Sequence, residues 1–362
     1  MGRLGVSSVE PGQFSLSQWS LPPIPFCQYG LRSASPFSKG GLRGIPLTSM
    51  GRTALKIPLT PFDKGRDKKL IGGKPMKRLL KLAGIAILLA GLLLIAALLF
   101  IRSYLQDEQV QQTQALVPST LPQSAMFIFP HPDDEITVAG TMSKLASQGV
   151  ETTLICLTKG EQGATGGLVE AARLAEARAT ELKEAAAILQ VDHLEILDFP
   201  DGKIAEVDSD LIKGVIQRLI LKYRPSVVVT YDNRIGFYGH PDHRLTGQYV
   251  YEVVEENSNG TDFPVKRVYF VTLSAGMIAA AMKISPTFQQ RYPEEPQRGL
   301  PAPDLAVDIT AQGAAKRAAM LAHQTQWRIF AELQPLYDVL PGWIYYRVFD
   351  REYYALALNN EP

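Results

Sequence analysis

From residue 124 onward the chain alternates short apolar, β-branched runs with longer segments of helical period. That alternation restricts it to an α/β architecture built on a mostly parallel sheet. Strands are expected at residues 125–129, 150–157, 193–197 and 226–231, with helices at 135–148, 168–190, 208–223 and 242–256, the third opened by the acidic cap Asp208. Runs at 268–273 and 305–310 read as further strands and 311–326 as a helix, while 343–354 is an aromatic stretch whose place the pattern leaves open.

Sheets of this kind carry their functional loops beyond the carboxyl ends of the strands. Two histidine clusters fall there. His131-Pro132-Asp133-Asp134-Glu135 follows the first strand, and Tyr238-Gly239-His240-Pro241-Asp242-His243 follows the strand at 226–231, so both are expected on one rim of the sheet. Together they hold three of the five histidines. An isolated His-Pro-Asp is usually a loop histidine beside solvated carboxylates; two such clusters in matching strand contexts point to a metal site instead.

Zinc accepts imidazole nitrogen and carboxylate oxygen, and catalytic sites pair three protein ligands with one open position. His131 and Asp134 share one turn and can face one ion. Asp133 points elsewhere on that turn and is the candidate general base, since a bound metal brings the pKa of water toward neutrality. Glu135 is expected to begin a helix and favour its dipole. Pro241 suits the first position of a helix, which brings His240 and His243 to adjacent positions on one face. His243 is assigned to the metal and His240 to a protonated donor, with Asp242 the candidate partner that orients an imidazole and Tyr238 a candidate donor to a developing oxyanion. His193 reads as a surface or core histidine, and His323 reads equally as part of a His-x-x-Gln patch with Gln326 or as a helix-terminus residue, and is left outside the catalytic set. The glycine-rich loop 160–167 lacks the Gly-Lys-Ser/Thr ending of a phosphate loop and reads as a mobile active-site loop.

With 362 residues, 46% of them hydrophobic, the chain has material for a substantial core, and its net charge of +1 argues against nucleic acid as a partner. Of the two cysteines, Cys27 lies in an atypical N-terminal region and Cys156 in a buried-strand pattern, so neither a disulfide framework nor a thiolate metal site is available. Residues 82–101 form an uninterrupted apolar run of about 20 residues, long enough to span a hydrocarbon core. It reads as a transmembrane helix rather than a buried helix or a cleaved signal, because it exceeds a usual h-region and no small-residue cleavage site follows. Lys77, Arg78 and Lys81 precede it and only Arg102 closely follows, which predicts a cytoplasmic N-terminus and an extracytoplasmic catalytic domain. The expected organisation is 1–75 as a disordered or mis-called extension, 76–102 as n-region and anchor, 103–123 as a stalk, and 124–362 as the catalytic domain. Met76-Lys77-Arg78 reads as the start of an n-region, which is why the extension is a candidate for mis-calling.

The two histidine clusters, followed by Thr158-Lys159-Gly160-Glu161, by Arg178 with Glu181, and by Asp201-Gly202, resemble the PIG-L / LmbE-like family of zinc-dependent N-acetylglucosaminyl deacetylases over roughly residues 124–330. The resemblance implies a Rossmann-like fold with helices on both faces of the sheet. It implies Zn2+ held by His131, Asp134 and His243, Asp133 as base, and His240 steadying the tetrahedral intermediate. It also implies contacts of Glu161, Arg178 and Asp201 with an N-acetylated amino sugar, against which stand ordinary readings: a surface pair of Arg178 with Glu181 or Glu170, and a plain Asp201-Gly202 turn. Pro130 and Lys159 depart from the family pattern without removing a functional group. The implied reaction is hydrolysis of an N-acetyl amide on a glucosamine-type glycan or glycoconjugate. Alternatives are a zinc amidase acting on another amide, such as a thiol conjugate, and a tethered sugar-binding protein without turnover; the intact Asp133 argues against the last.

Overall fold

The computed structural model describes residues 73–361 apart from 261 and 335. The expected extension at 1–75 therefore lies almost wholly outside the described residues. Among the described residues, eight strands form one sheet: β1 Gln111–Thr113, β2 Ser124–Phe129, β3 Glu151–Thr158, β4 His193–Phe199, β5 Val227–Tyr231, β6 Arg267–Thr272, β7 Leu305–Asp308 and β8 Arg351–Asn359. Their order is β1-β7-β8-β6-β5-β2-β3-β4. Seven run parallel, and β8 enters antiparallel between β6 and β7.

The helices are α1 Gly73–Leu105, α2 Ala139–Ser147, α3 Leu174–Ile188, α4 Ser209–Tyr223, the short α5 Gly236–Gly239, α6 Pro241–Asn257, α7 Ala275–Ile284, α8 Pro286–Arg291, α9 Gly313–Ala322, α10 Trp327–Leu333 and α11 Gly342–Tyr345. They cover both faces of the sheet. Alternation along β2 divides the core, with Phe127 and Phe129 packing against α2, α3 and α9 while Met126 and Ile128 pack against α4 and α6. In α4, Ile212, Ile216 and Ile220 recur at four-residue spacing and are fully buried, and the Asp208 carboxylate caps the helix by accepting from the Asp210 amide. Gly247 of α6 lets that helix lie against β5, for a Cβ there would stand 2.1 Å from the Tyr231 carbonyl oxygen.

The chain leaves β2 for β3 and β4 on one side and returns to β5 and β6 on the other. The sheet therefore has a topological switch point between β2 and β5, where such folds open a crevice.

Three segments differ from expectation. The helix expected at 135–148 begins as a 3-10 turn, Asp134–Val138, before α2. Strand β8 was legible only as an aromatic stretch, because the buried Arg351 and Glu352 interrupt its apolar pattern. The segment expected to be a stalk packs on the domain instead. Leu105, Leu116 and Val117 are buried, β1 pairs with β7, and the Gln106 side-chain amide donates to the Val348 carbonyl at 2.6 Å. Helix α1 contains a span of length and apolarity sufficient to cross a membrane, Met76–Leu105, and its apolar side chains are exposed apart from the half-buried Leu98 and the buried Leu105.

Replacement of Ile216 by Ala is expected to cost about 2–5 kcal/mol through loss of buried surface and the cavity left behind. Urea denaturation checks it against Leu211→Ala on the same helix, which is 53% exposed and should change little.

Candidate metal and catalytic site

The switch point brings the two histidine clusters together. His131 follows β2, and its backbone N–H donates to Asp134 Oδ2 at 2.8 Å, closing the turn. After β5, Asp232 accepts from the amides of Arg234, Ile235 and Phe237 at 3.0, 2.8 and 2.7 Å, which shapes the loop leading to His243 on α6. His131 Nδ1 lies 3.2 Å from His243 Nε2 and 3.3 Å from Asp134 Oδ2, and His243 Nε2 lies 3.3 Å from Asp134 Oδ1. Ligands at zinc-like bond lengths in a tetrahedral arrangement stand about 3.3 Å apart. The three side chains thus fit a metal ion, and two imidazole nitrogens this close need a proton or a cation between them. His240 borders the same space: its donor atom lies within 4.8 Å of those of His131 and His243.

A second layer holds these groups. His131 Nε2 faces Asp201 Oδ1 at 3.0 Å and Asp242 Oδ2 at 3.4 Å, and the Tyr231 hydroxyl donates to Asp134 Oδ1 at 3.0 Å while its ring stacks on His243 at 4.3 Å. Such partners fix ring orientation and raise ligand basicity. Burial disfavours charge on all of them. Against it, hydrogen bonds that His131 donates to Asp134, Asp201 and Asp242 lift it well above the ordinary imidazole range, and His243 and His131 hold the Asp134 carboxyl below its usual value. His243, where burial dominates, is pushed well down.

Asp133 sits beside this cluster in the left-handed region, φ 104°, uncommon for a residue with a side chain. Burial, opposed by the charge of Arg178 and reinforced by that of Asp134, raises its carboxyl to about 6. Arg178 is itself buried. Its guanidinium lies 3.1 Å from Asp133 Oδ2, donates to the Gly160 carbonyl at 2.8 Å, and also donates to the Pro132 carbonyl. Gly160, at φ 67°, permits this reach, because a Cβ there would stand 2.3 Å from the Arg178 guanidinium. The residue expected to contact a sugar is thus packed against the candidate base.

Asp201 and Glu161 likewise knit the rim: Glu161 Oε1 accepts from the Asp201 amide at 2.9 Å, and Asp201 Oδ2 from the Gln162 amide at 2.8 Å. The Asp242 carboxylate faces His131, and it is the Asp242 backbone N–H that meets His240, donating to Nδ1 at 3.2 Å. That bond leaves the His240 proton on Nε2. Burial and the charge of His131 lower His240 to about 4, so the donor expected to be protonated is a neutral imidazole that still carries an N–H. Tyr238 stays protonated, its phenol raised by burial and by Asp134 and Asp133, and its ring lies 5.1 Å from that of His243.

Glu135 does not serve as a solvated helix-opening acid. It is 1% exposed, with Oε1 2.6 Å from His323 Nε2 and Oε2 accepting from the Asp133 amide at 3.0 Å. His323 thereby joins the site from α9's far end. Thr325 donates to Glu181 through its amide and hydroxyl at 2.9 and 2.7 Å, and Gln326 donates to the Ala164 carbonyl at 2.8 Å, so the segment after α9 ties α3 and the glycine-rich loop to the rim. The one sequence signal for this was His323 with Gln326 three residues on. Arg291, at the end of α8, lines a polar cleft with His240, Asp242 and Gly202 and had no sequence signal.

Residues 126–254 match the model of the PIG-L family, described as GlcNAc-PI de-N-acetylase. The chain is 31% identical over 189 residues to diacetylchitobiose deacetylase of Thermococcus kodakarensis, covering 46% of this chain and 70% of that protein. It is 31% identical over 268 residues to 1D-myo-inositol 2-acetamido-2-deoxy-alpha-D-glucopyranoside deacetylase of Thermomonospora curvata, covering 64% and 89%. The chain belongs to the PIG-L family. Among solved structures, N,N'-diacetylchitobiose deacetylase from Pyrococcus horikoshii is similar to this PIG-L protein, with a TM-score of 0.48 at 23% identity over 66% of this chain and 84% of that one.

Two substitutions separate the layers of this PIG-L site. Asp201→Ala is expected to weaken metal affinity about 10–100-fold by freeing the His131 ring, measured by competition with a chromophoric chelator. Arg178→Ala is expected to leave metal stoichiometry unchanged and to lower kcat more than it raises KM, because it releases Asp133 from one fixed position.

Proposed function

We propose that this protein is a membrane-anchored, zinc-dependent deacetylase that removes the N-acetyl group from an N-acetylglucosamine-type glycan or glycoconjugate. The observation that carries the reading is the half-buried Asp133 carboxylate beside two imidazole nitrogens 3.2 Å apart, each 3.3 Å from one oxygen of Asp134. His131, Asp134 and His243 would hold the ion, which supplies Lewis acidity and lowers the pKa of water. Asp133 takes the proton of the attacking water. Arg178 keeps that carboxylate in place, and a carboxyl raised to about 6 can carry the proton onward to the departing amine. The neutral N–H of His240 and the hydroxyl of Tyr238 are donors for the carbonyl oxygen as it gains charge. In this reading Glu161 and Arg291 stand on the rim where sugar substituents would pass.

The anchor reading rests on α1. A helix that is apolar all round and exposed needs a lipid environment, and Lys77, Arg78 and Lys81 before it support a cytoplasmic N-terminus with the catalytic domain outside. Arg102, after it, is neutralised by Glu108 and Asp350 at 2.8 Å each.

Acetate release from a panel of N-acetylglucosamine glycans and glycolipids tests the chemistry. Activity should vanish on chelation, return with zinc, and be lost in Asp133→Ala with zinc still bound; release from no panel member despite stoichiometric zinc would sink the proposed substrate class. Protease treatment of intact cells tests the orientation. The catalytic domain should be cleaved, and full protection would reverse the assignment.

A further inference from the structure

We infer that the apolar groove at the root of α1 takes an acyl chain of the bilayer that α1 spans. The inference rests on the anchor reading above and extends it to a lipid-binding site on the catalytic domain. The groove encloses about 480 Å³, a volume in the range of ligand cavities, and runs from Leu98 and Ile101 of α1 past Met277 and Ala281 of α7 and Leu336 to Phe237 beneath the site.

The attachment of α1 sets the depth of this groove. The helix does not leave the domain through a spacer: Arg102 Nε donates to Asp350 at 2.8 Å, the Ser274 hydroxyl donates to the Leu105 carbonyl, and Gly276 of α7 approaches so closely that a Cβ there would stand 1.9 Å from the Tyr104 carbonyl oxygen. At a rise of about 1.5 Å per residue, the apolar run 82–101 spans about 30 Å, the thickness of the hydrocarbon core. Leu98 then lies about one turn inside the leaflet. The part of the groove wall formed by Leu98 and Ile101 lies at that depth.

The surroundings match a lipid boundary. Leu336 and Ile284, which line the groove, are 55% and 52% exposed, and Val339 and Trp343, next in sequence to the lining Leu340 and Ile344, are 70% and 72% exposed. Tyr104, one turn past the apolar run, has the Lys283 ammonium 5.7 Å from its ring centre, the aromatic and basic pair favoured at headgroup level. Charged groups on the inner wall already have partners. Glu332 accepts from Ser285 and from the Thr287 amide at 2.5 and 3.0 Å, and Lys316 pairs with Glu352 at 2.7 Å. What the groove offers an occupant is hydrocarbon contact continuous with a membrane helix, which favours an acyl chain over a polar peptide.

The test uses the full chain in nanodiscs containing phosphatidylcholine with a diazirine at mid-chain. After irradiation, lipid adducts are expected on α1 and, separately, on α7 and residues 332–340. Ala281→Trp, which fills the groove, should abolish the adducts on α7 and leave those on α1. Adducts confined to α1 in the unmodified chain would overturn the inference and leave the anchor reading standing. Absence of adducts from α1 and groove alike would remove both. Chain-to-chain crosslinks through α7 in place of lipid adducts would assign the groove to a second copy and also overturn the inference.

Discussion

Asp134 is the residue on which the site's geometry turns. Its carboxylate accepts the His131 amide and the Tyr231 hydroxyl, and each oxygen faces one of the two imidazoles at 3.3 Å. Those contacts come from His131, Tyr231 and His243, three places in the chain, and they exist only because β2 lies hydrogen-bonded between β3 and β5. A parallel sheet that sends its chain outward on both sides of one strand leaves two loops side by side at the carboxyl end. Here both loops carry histidine. Burial makes the arrangement expensive unless charge is compensated. Mutual pairing moves His131 up and Asp134 down, and a divalent ion within the donor triangle would complete that compensation.

The outer layer shows why so many ionisable groups coexist in a dry rim. Asp201 and Asp242 converge on one imidazole, Arg178 on Asp133, and His323 on Glu135. Each pair satisfies a group that would otherwise be orphaned, and each also joins separate elements: the β4 loop to β2, α3 to the His131 turn, and the end of α9 to the same turn. Removing one partner strips the other of a contact within a poorly solvated network, so the losses should be far from additive. The pair of Glu352 and Lys316 does similar work at the start of β8, where Glu352 also accepts from the amides of Gly140 and Thr141 at the start of α2.

Much of this was legible in the sequence for a physical reason. Strands buried on both faces read as continuous apolar runs, and helices against them keep a 3.6-residue period, so β2 to β6, α4 and α6 were foreseen within two residues, and α3 in all but its start, which falls six residues later than expected. The two motifs could be placed on one rim because the rule linking parallel sheets to their loops is topological. Local pattern was silent elsewhere. Strand β8 carries its charged residues inward, which hides its period, and Glu135 and Arg178 look like ordinary surface residues until tertiary contacts bury them. Arg291 reaches the site through a contact with Gly239 that no local pattern encodes, for the glycine at φ 99° lies against the Arg291 carbonyl. Partners distant in sequence are invisible to spacing arguments, and most of the second layer is of that kind.

The attachment of α1 bears on how such a site meets its substrate. A domain on a flexible stalk samples many orientations, and the membrane then constrains little beyond local concentration. In this chain the residues after α1 are consumed at once, with Leu105 buried, Gln106 bound to Val348, and β1 added to the sheet beside β7. The orientation of the rim relative to α1 is therefore a property of the fold. Under the proposed anchoring of α1 in a bilayer, the depth and tilt of the His131 and His243 loops would follow from the same packing that buries Leu105, and a substrate would be selected partly by whether its acetylated sugar stood at that height.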